Sequence, residues 1–361
     1  MADDLAGEVD QIKELLSGKV IDDFKVLKAI ASGGYGATFA VQHVKSKTPA
    51  CLKVALNSNR ILSLETSVMK LFIDKQPQER SRHLCRIYTN GTINLVVDGI
   101  IKEVYYVVME FLPGNLVSFI SQYKGYDYLI CGCELALQML NGLYNMHCLG
   151  ILHRDIKAEN VGFRNGKTAV LLDFGLARII TDVDGNIRST RSRVCVRGTN
   201  EWASGNCERG MEQGRVDDLM GWMYTLTELF YHNDDLNCLP WAEYEKNERL
   251  RHLMKSPHLP ANLILRDLPN EFYQIYAYLH TLSRMDQPNY QYIILLLLRA
   301  KKKFSILKTR DMNKNHKTAK DKEKNEIRTK YDPLMNKVDA LKDVEQYNNE
   351  MEEVFDIVFG N

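Results

Sequence analysis

Between Gly150 and Arg178 the chain reads G-I-L-H-R-D-I-K-A-E-N-V-G-F-R-N-G-K-T-A-V-L-L-D-F-G-L-A-R, and Asp155, Lys157, Asn160 and Asp173 are the side chains there able to do chemistry. A short apolar lead, Ile151 and Leu152, enters a charged turn. A strand-like pair divided by Asn165-Gly166 follows, and a second apolar run, Val170 to Leu172, ends on Asp173. Each carboxylate is therefore expected on a loop at the end of a buried strand. Phosphate chemistry needs that placement: one carboxylate orients a hydroxyl and takes its proton, while another, with an amide, offers hard oxygens to magnesium.

The elements that must hold these groups are readable on both sides. From Val20 the pattern is strand-like and leads into A-S-G-G-Y-G-A-T-F-A-V. Gly33, Gly34 and Gly36 lie there between two strands, with Tyr35 at the tip, and such a turn lets backbone amides come close to phosphate oxygens. The strand Ala50 to Val54 places Lys53 in an apolar run, and the spacing then predicts a helix over Arg60–Phe72 with a stripe of Ile61, Leu64, Val68 and Leu71. Glu65 stands beside that stripe and faces inward, where a carboxylate needs a cation. Lys53 is its natural partner; Glu79, in a loop-like stretch, is the rival. Arg86–Thr92 and Val104–Met109 read as strands joined by a long connection with a turn at Asp98-Gly99, and the second ends at a Pro-Gly turn. Residues 132–149 carry Leu135, Met139, Leu143 and Met146 at helical spacing, a support for the charged loop. Before all of this, Val9, Ile12, Leu15 and Leu16 predict a short amphipathic helix closed by Gly18.

With 361 residues, 45% of them hydrophobic, the chain can bury one large core in two lobes. Lys plus Arg number 47 against 46 Asp plus Glu, so net charge points to neither nucleic acid nor membrane. The acidic start, Met1 to Asp10, lacks the apolar core of a signal peptide. The longest aliphatic run, Ile293 to Leu298, is far below the roughly 20 residues a bilayer crossing takes. The eight cysteines, without a secretion signal, read as reduced core residues. From Arg299 the composition turns Lys-rich as far as Lys330 and then acidic from Asp339 to Asp356.

H-R-D-x-K-x-x-N followed by D-F-G resembles the protein kinase signature. The resemblance implies an α+β, two-lobed protein kinase fold: a small antiparallel lobe with one helix over residues 21–112 and a larger helical lobe over 113–300. An N-terminal extension (1–20) and a charged tail (301–361) flank them. It implies ATP and Mg2+ as cofactors, with Asp155 as proton acceptor, Lys157 on the γ-phosphate, Asn160 and Asp173 on the metal, and the Lys53–Glu65 pair on the α and β phosphates. Nucleotide contacts fall to Ile30, Ala31, Ser32, Gly33, Gly34, Tyr35, Gly36, Thr38, Lys53, Met109 as gatekeeper, and Glu110 and Leu112 in the hinge. The glycine pattern departs at Ala31, where its first Gly belongs. Lys157 points to Ser/Thr acceptors, with Ala158 replacing the Pro that commonly follows.

Where most kinases carry A-P-E, this chain has Ala203-Ser204-Gly205-Asn206. That element, with R-G-T-x-x-aromatic-A-S-x-N, resembles the casein kinase I superfamily and most closely its tau-tubulin kinase-like branch. The similarity continues through Gly214–Leu219, where Asp218 is expected to brace the loop, and through Leu239–Trp241, Leu268–Phe272 and Gln287–Tyr290. Family members carry a basic residue at Glu201, in a strip that helps bind acidic or phosphorylated substrates. Arg188, Arg191, Arg193, Arg197 and Arg215 remain around it. Thr181, Ser189, Thr190 and Ser192 receive no regulatory role. The reading is thus a monomeric Ser/Thr kinase of the cytoplasm, with the nucleus open, acting on proteins. An acidic partner is conceivable for its basic tail, and neither specific nucleic acid nor membrane is expected. The alternatives are a pseudokinase scaffold binding through the large lobe and tail, and a basic-tail binding protein with a vestigial lobe.

Overall fold

Two residues turn the longest hairpin of the computed structural model, which describes residues 10–33, 36–55, 59–75, 81–191, 194, 198–231, 239–244 and 247–315. They are Asp98 and Gly99, both at positive φ (52° and 76°), the conformation in which a tight turn matches the twist of the flanking strands. The expected long connection is therefore absent. The strands β5 (Ile87–Val97) and β6 (Ile100–Glu110) run straight into the turn and pair continuously from Thr89 to Val97, with one register shift between Ile87 and Thr89. The apolar and β-branched residues at 93–97 and 100–101 extend the ladder, where the sequence had suggested a loop.

By contacts the chain divides into Met1–Pro113 with Leu172–Ala177, and Gly114–Leu171 with Arg178–Asn361. In the first unit, β1 (Val20–Ile21), β2 (Phe24–Gly33), β3 (Gly36–His43) and β4 (Pro49–Ala55) join β6 and β5 in an antiparallel sheet ordered β1-β2-β3-β4-β6-β5. Alternation works as the period of two demands: Ala37, Phe39 and Val41 of β3 and Ala50, Leu52 and Val54 of β4 all point into one buried cluster. The helix α1 (residues 10–16) completes that cluster with Ile12 and Leu16, both fully buried. Its Gln11 ties down the hairpin, donating to Asp98 Oδ1 at 2.5 Å and accepting from the Asp98 amide at 3.1 Å. The expected N-terminal helix is thus a built-in part of the core; Val9 lies outside the described residues.

The helix α2 (Asn59–Lys75) carries a correction. Leu64, expected on the inward stripe, is exposed, and the buried face is Leu62, Glu65, Val68, Met69 and Phe72. Apolar residues at helical spacing occur on two adjoining stripes here, and packing of Phe72 edge-on against Phe174 selects the second.

In the second unit, α3 (Leu116–Ile120) starts at a reciprocal cap between Asn115 and Ser118. Next comes α4 (Gly125–Cys148), longer than expected and buried on nearly every side from Cys131 onward. The strand β7 (Ile151–Leu152) leads into the charged loop, and β8 (Val161–Arg164) and β9 (Thr168–Leu171) form the hairpin expected at Asn165-Gly166. The strand β10 (Arg178–Ile179) pairs with β7. Helices α5 (Gly205–Glu208), α6 (Arg215–Tyr231), α7 (Glu248–Met254), α8 (Asn262–Leu265), α9 (Asn270–Thr281) and α10 (Tyr290–Asn315) follow. Trp222 of α6 donates to the Ala136 carbonyl of α4 at 3.1 Å, joining the two most buried helices.

The boundary expected at residue 300 falls inside α10. Leu296, Leu297, Ala300 and Phe304 continue one buried face across it, and buried Lys301 reaches Glu134 at 2.7 Å. Composition changes at Arg299 because the outer face becomes basic, while the inner face goes on packing. The rest of the tail, 316–361, lies outside the described residues. No helix among the described residues is long and apolar enough to cross a membrane. The described cysteines are free thiols, Cys148 exposed; Cys195 and Cys238 lie outside.

Candidate active site

In the first unit the site is built on strand register. Ala31 of β2 faces Thr38 of β3, Thr38 faces Lys53 of β4, and Lys53 faces Val107 of β6, so residues far apart in sequence line up across the sheet. Lys53 Nζ lies 2.8 Å from Glu65 Oε2 and 3.2 Å from Asp173 Oδ1. Burial alone would lower the Lys53 pKa, but the Glu65 and Asp173 carboxylates outweigh it and hold the ammonium above its ordinary value. Glu65 is the expected partner, and Asp173 is a second one the sequence did not pair with Lys53. The rival Glu79 lies outside the described residues. Asp173 sits at φ 59°, a conformation costly for a side chain, and accepts from the Gly175 amide at 3.3 Å.

The glycine turn is described at its two ends, Gly33 and Gly36, which face each other; Gly34 and Tyr35 lie outside the described residues. At Gly36 (φ 151°) a Cβ would stand 1.9 Å from the Val54 carbonyl, so only glycine lets β3 lie against β4 there. Ile30, Ala31 and Ser32 are exposed on β2. Met109 is buried between Cys51 of β4 and Ile87 of β5, while the Glu110 amide donates to the Arg86 carbonyl at 2.9 Å and Leu112 is half-buried.

In the second unit Asp155 is held from four directions. Its Oδ1 accepts from the Thr199 amide and hydroxyl, both at 2.9 Å; its Oδ2 accepts from Asn160 Nδ2 at 3.0 Å and lies 3.1 Å from Lys157 Nζ. Lys157 also donates to Thr199 Oγ1 at 2.6 Å. Behind this loop Asp218, fully buried at the start of α6, accepts from the amides of His153 and Arg154, each at 2.8 Å, and bonds His147 Nε2 at 2.9 Å. Burial opposes its charge, yet the His147 bond and the neighbouring histidines outweigh burial and hold the carboxyl below its usual range. His147 in turn meets Tyr290 Oη at 2.5 Å. The expected brace is present, with two further members.

A protein kinase domain model matches residues 24–235, more than half of the sequence. The chain belongs to the protein kinase family. A Dictyostelium discoideum protein, named among serine/threonine-protein kinases, is 30% identical over 75% of this chain, and the match spans 52% of that relative's own length. A Caenorhabditis elegans protein with a name of the same class is 28% identical over 70% of this kinase and 71% of its own length. An Encephalitozoon cuniculi protein, named as a casein kinase I homolog, is 24% identical over 77% and 84% respectively.

The side chains of this kinase fit the groups its family uses. Asn160 spends its amide nitrogen on the carbonyl (2.8 Å) and carboxylate of Asp155, so its amide oxygen is the hard donor it would offer a divalent cation. Gly33 and Gly36, facing each other at the ends of the turn, carry no side chain that would keep phosphate oxygens from backbone amides. In the basic strip Arg188 and Arg191 are engaged within the protein. Arg191 forms a two-pronged pair with buried Glu212 (2.7 and 3.1 Å), Arg178 joins it at 3.0 Å, and Arg188 donates to the Thr181 carbonyl. Arg193 and Arg197 lie outside the described residues. Thr199, His147 and Tyr290 were missed as site residues; only the G-T pair ahead of the Glu201 strip gave a local signal for the first.

Proposed function

We propose that this kinase transfers the γ-phosphoryl group of ATP to Ser and Thr hydroxyls of proteins. The reading rests chiefly on Lys53, whose ammonium is engaged at once by buried Glu65 and by Asp173, the arrangement an active phosphate-binding lysine needs. Asp155 orients the acceptor hydroxyl and takes its proton as the oxygen bonds to the γ-phosphorus. The bond to the β,γ-bridging oxygen breaks, and ADP carries away the electron pair. Lys157 and Thr199 hold Asp155 in place and keep a cation beside the transferred group. Asn160 and Asp173 are the residues that would hold magnesium, whose charge offsets that of the phosphates when bound. The scaffold alternative draws on Ala31, which pairs with Thr38 directly after a register shift between Ala29 and Ala31.

The finer placement, in the casein kinase I superfamily and its tau-tubulin kinase-like branch, is supported by the ordered series from Ala203 to Tyr290 and by the casein kinase I homolog among the relatives. Substrate choice departs from that group. Burial pushes the Glu228 carboxyl up to about 7 against the Trp202 bond, and Glu159 and Glu201 raise it further, so three carboxylates share this surface. Such a surface repels phosphorylated or acidic segments and favours basic ones.

Transfer from magnesium-ATP to casein and to peptide arrays tests both parts. Wild type is expected to act, with Asp155→Asn and Lys53→Met inactive; equal background transfer by all three would overturn the activity. Glu201→Arg is expected to shift preference toward acidic and phosphorylated peptides, and an unchanged preference would remove the substrate assignment.

A further inference from the structure

Lys255, the residue that closes α7, has a side chain with no exposure to solvent. Its three N–H groups are all used: Nζ donates to the Asn200 carbonyl at 2.5 Å, the Ala203 carbonyl at 2.8 Å and Glu208 Oε1 at 2.8 Å. The ammonium also lies 5.1 Å from the centre of the Trp241 ring and 5.8 Å from that of Tyr224. A lysine buried so completely calls for a reason, since desolvation of a cation is costly.

The reason lies in what it anchors. In the strip 199–203 the Thr199 carbonyl accepts from the amides of Trp202 and Ala203, and the Glu201 carbonyl accepts from Trp241 Nε1 at 2.7 Å. Lys255 takes the carbonyls of Asn200 and Ala203. The strip is thereby fixed along its backbone, and its first residue, Thr199, presents the amide and hydroxyl that grip Asp155 Oδ1. We propose that Lys255 is a positioning residue for phosphoryl transfer, fixing through two main-chain carbonyls the strip whose Thr199 orients Asp155. This rests on the kinase activity proposed above.

Burial holds the Lys255 pKa down to about 8 against the pull of Glu208, with Arg251 lowering it further. The ionisable groups around it are Glu208 and Cys207 of α5, Arg251 of α7 and Tyr224 of α6, whose ring it faces, while His252 stands 3.8 Å from the far oxygen of Glu208. A neutral amine keeps two N–H groups, so one of the three acceptors is released as pH rises and the strip loosens while the protein stays folded.

The test combines kcat and the KM for ATP between about pH 6.5 and 9.5 with amide exchange over residues 199–203, for wild type, Lys255→Met and Glu208→Gln. Wild-type kcat is expected to fall roughly tenfold above about pH 8 with the fold intact, and Lys255→Met to show that lowered kcat at every pH, faster exchange in the strip and a KM for ATP within about twofold. Glu208→Gln, which removes the carboxylate favouring the charged form, moves the alkaline limb down by about one pH unit. A wild-type kcat flat across the range, a limb that Glu208→Gln leaves in place, or unchanged exchange in Lys255→Met each overturns the proposal. Should Lys255→Met not fold, the wild-type and Glu208→Gln profiles decide. A wild type inactive at every pH refutes the kinase reading instead, and the pH dependence of exchange over 199–203 then decides for Lys255.

Discussion

Asp155 keeps one geometry because four donors converge on it, and the consequence of removing its charge is calculable. A positioned base contributes on the order of 10²- to 10⁴-fold, so Asp155→Asn is expected to lower kcat within that span while the KM for ATP holds. Single-turnover transfer from labelled ATP measures this, and an undiminished rate would exclude Asp155 as the acceptor of the proton. Gly198 offers a subtler probe. At φ 99° it brings backbone against the loop, and a Cβ there would lie 2.7 Å from the Arg154 carbonyl. Gly198→Ala should therefore displace the loop and reduce kcat by roughly tenfold or more, with little effect on nucleotide binding measured by calorimetry. These residues differ in how far they could be read beforehand. Asp155, Asn160 and Asp173 announce themselves by local spacing, because the reacting groups share one loop and one strand end. Thr199 and Lys255 do not, since each acts through a contact more than forty residues away along the chain.

Elements show where local pattern suffices and where it fails. The turn at Asp98-Gly99 was legible as a turn, because those residue types tolerate positive φ, but the length of the strands it joins was not. Gly99 sits at φ 76° with open space around its missing Cβ. Replacement by alanine meets only backbone strain, and Gly99→Ala is expected to cost about 1 kcal/mol in urea unfolding without altering kcat. A neutral substitution would mean that the hairpin tip relaxes freely. For α2 the 3.6-residue period gave the helix and the inward Glu65, yet the stripe was assigned one residue away from the face that packs. Both stripes are apolar, and only the neighbour decides between them.

On the scale of the whole molecule, a partly buried carboxylate should be visible in stability. The folded pKa of Glu228, pushed up to about 7 from 4.5, means that the folded chain binds more protons than the unfolded chain between those values. The contribution of Glu228 to stability is therefore fully present below about pH 4.5 and is lost as pH rises through about 7. Glu228→Gln retains an acceptor for Trp202 and removes the charge. Allowing for solvent screening of a partly buried group, it should stabilise the kinase by about 1 kcal/mol at pH 8 and not at pH 4.5. Equal effects at the two pH values in denaturant melts would remove the argument.

The sequence by itself determined the candidate reacting groups, the glycines at 33 and 36, the hairpin at Asn165-Gly166 and the kinase signature, because each depends on neighbours along the chain and leaves a short-range pattern. Tertiary structure alone decided that Lys53 answers to Asp173 as well as Glu65, that Arg191 is bound to Glu212, that α10 packs on through residue 300, and that Lys255 secures the strip behind Asp155. Those choices turn on which faces meet when strands and helices pack, and a residue waiting for a distant partner carries no periodicity by which to name it.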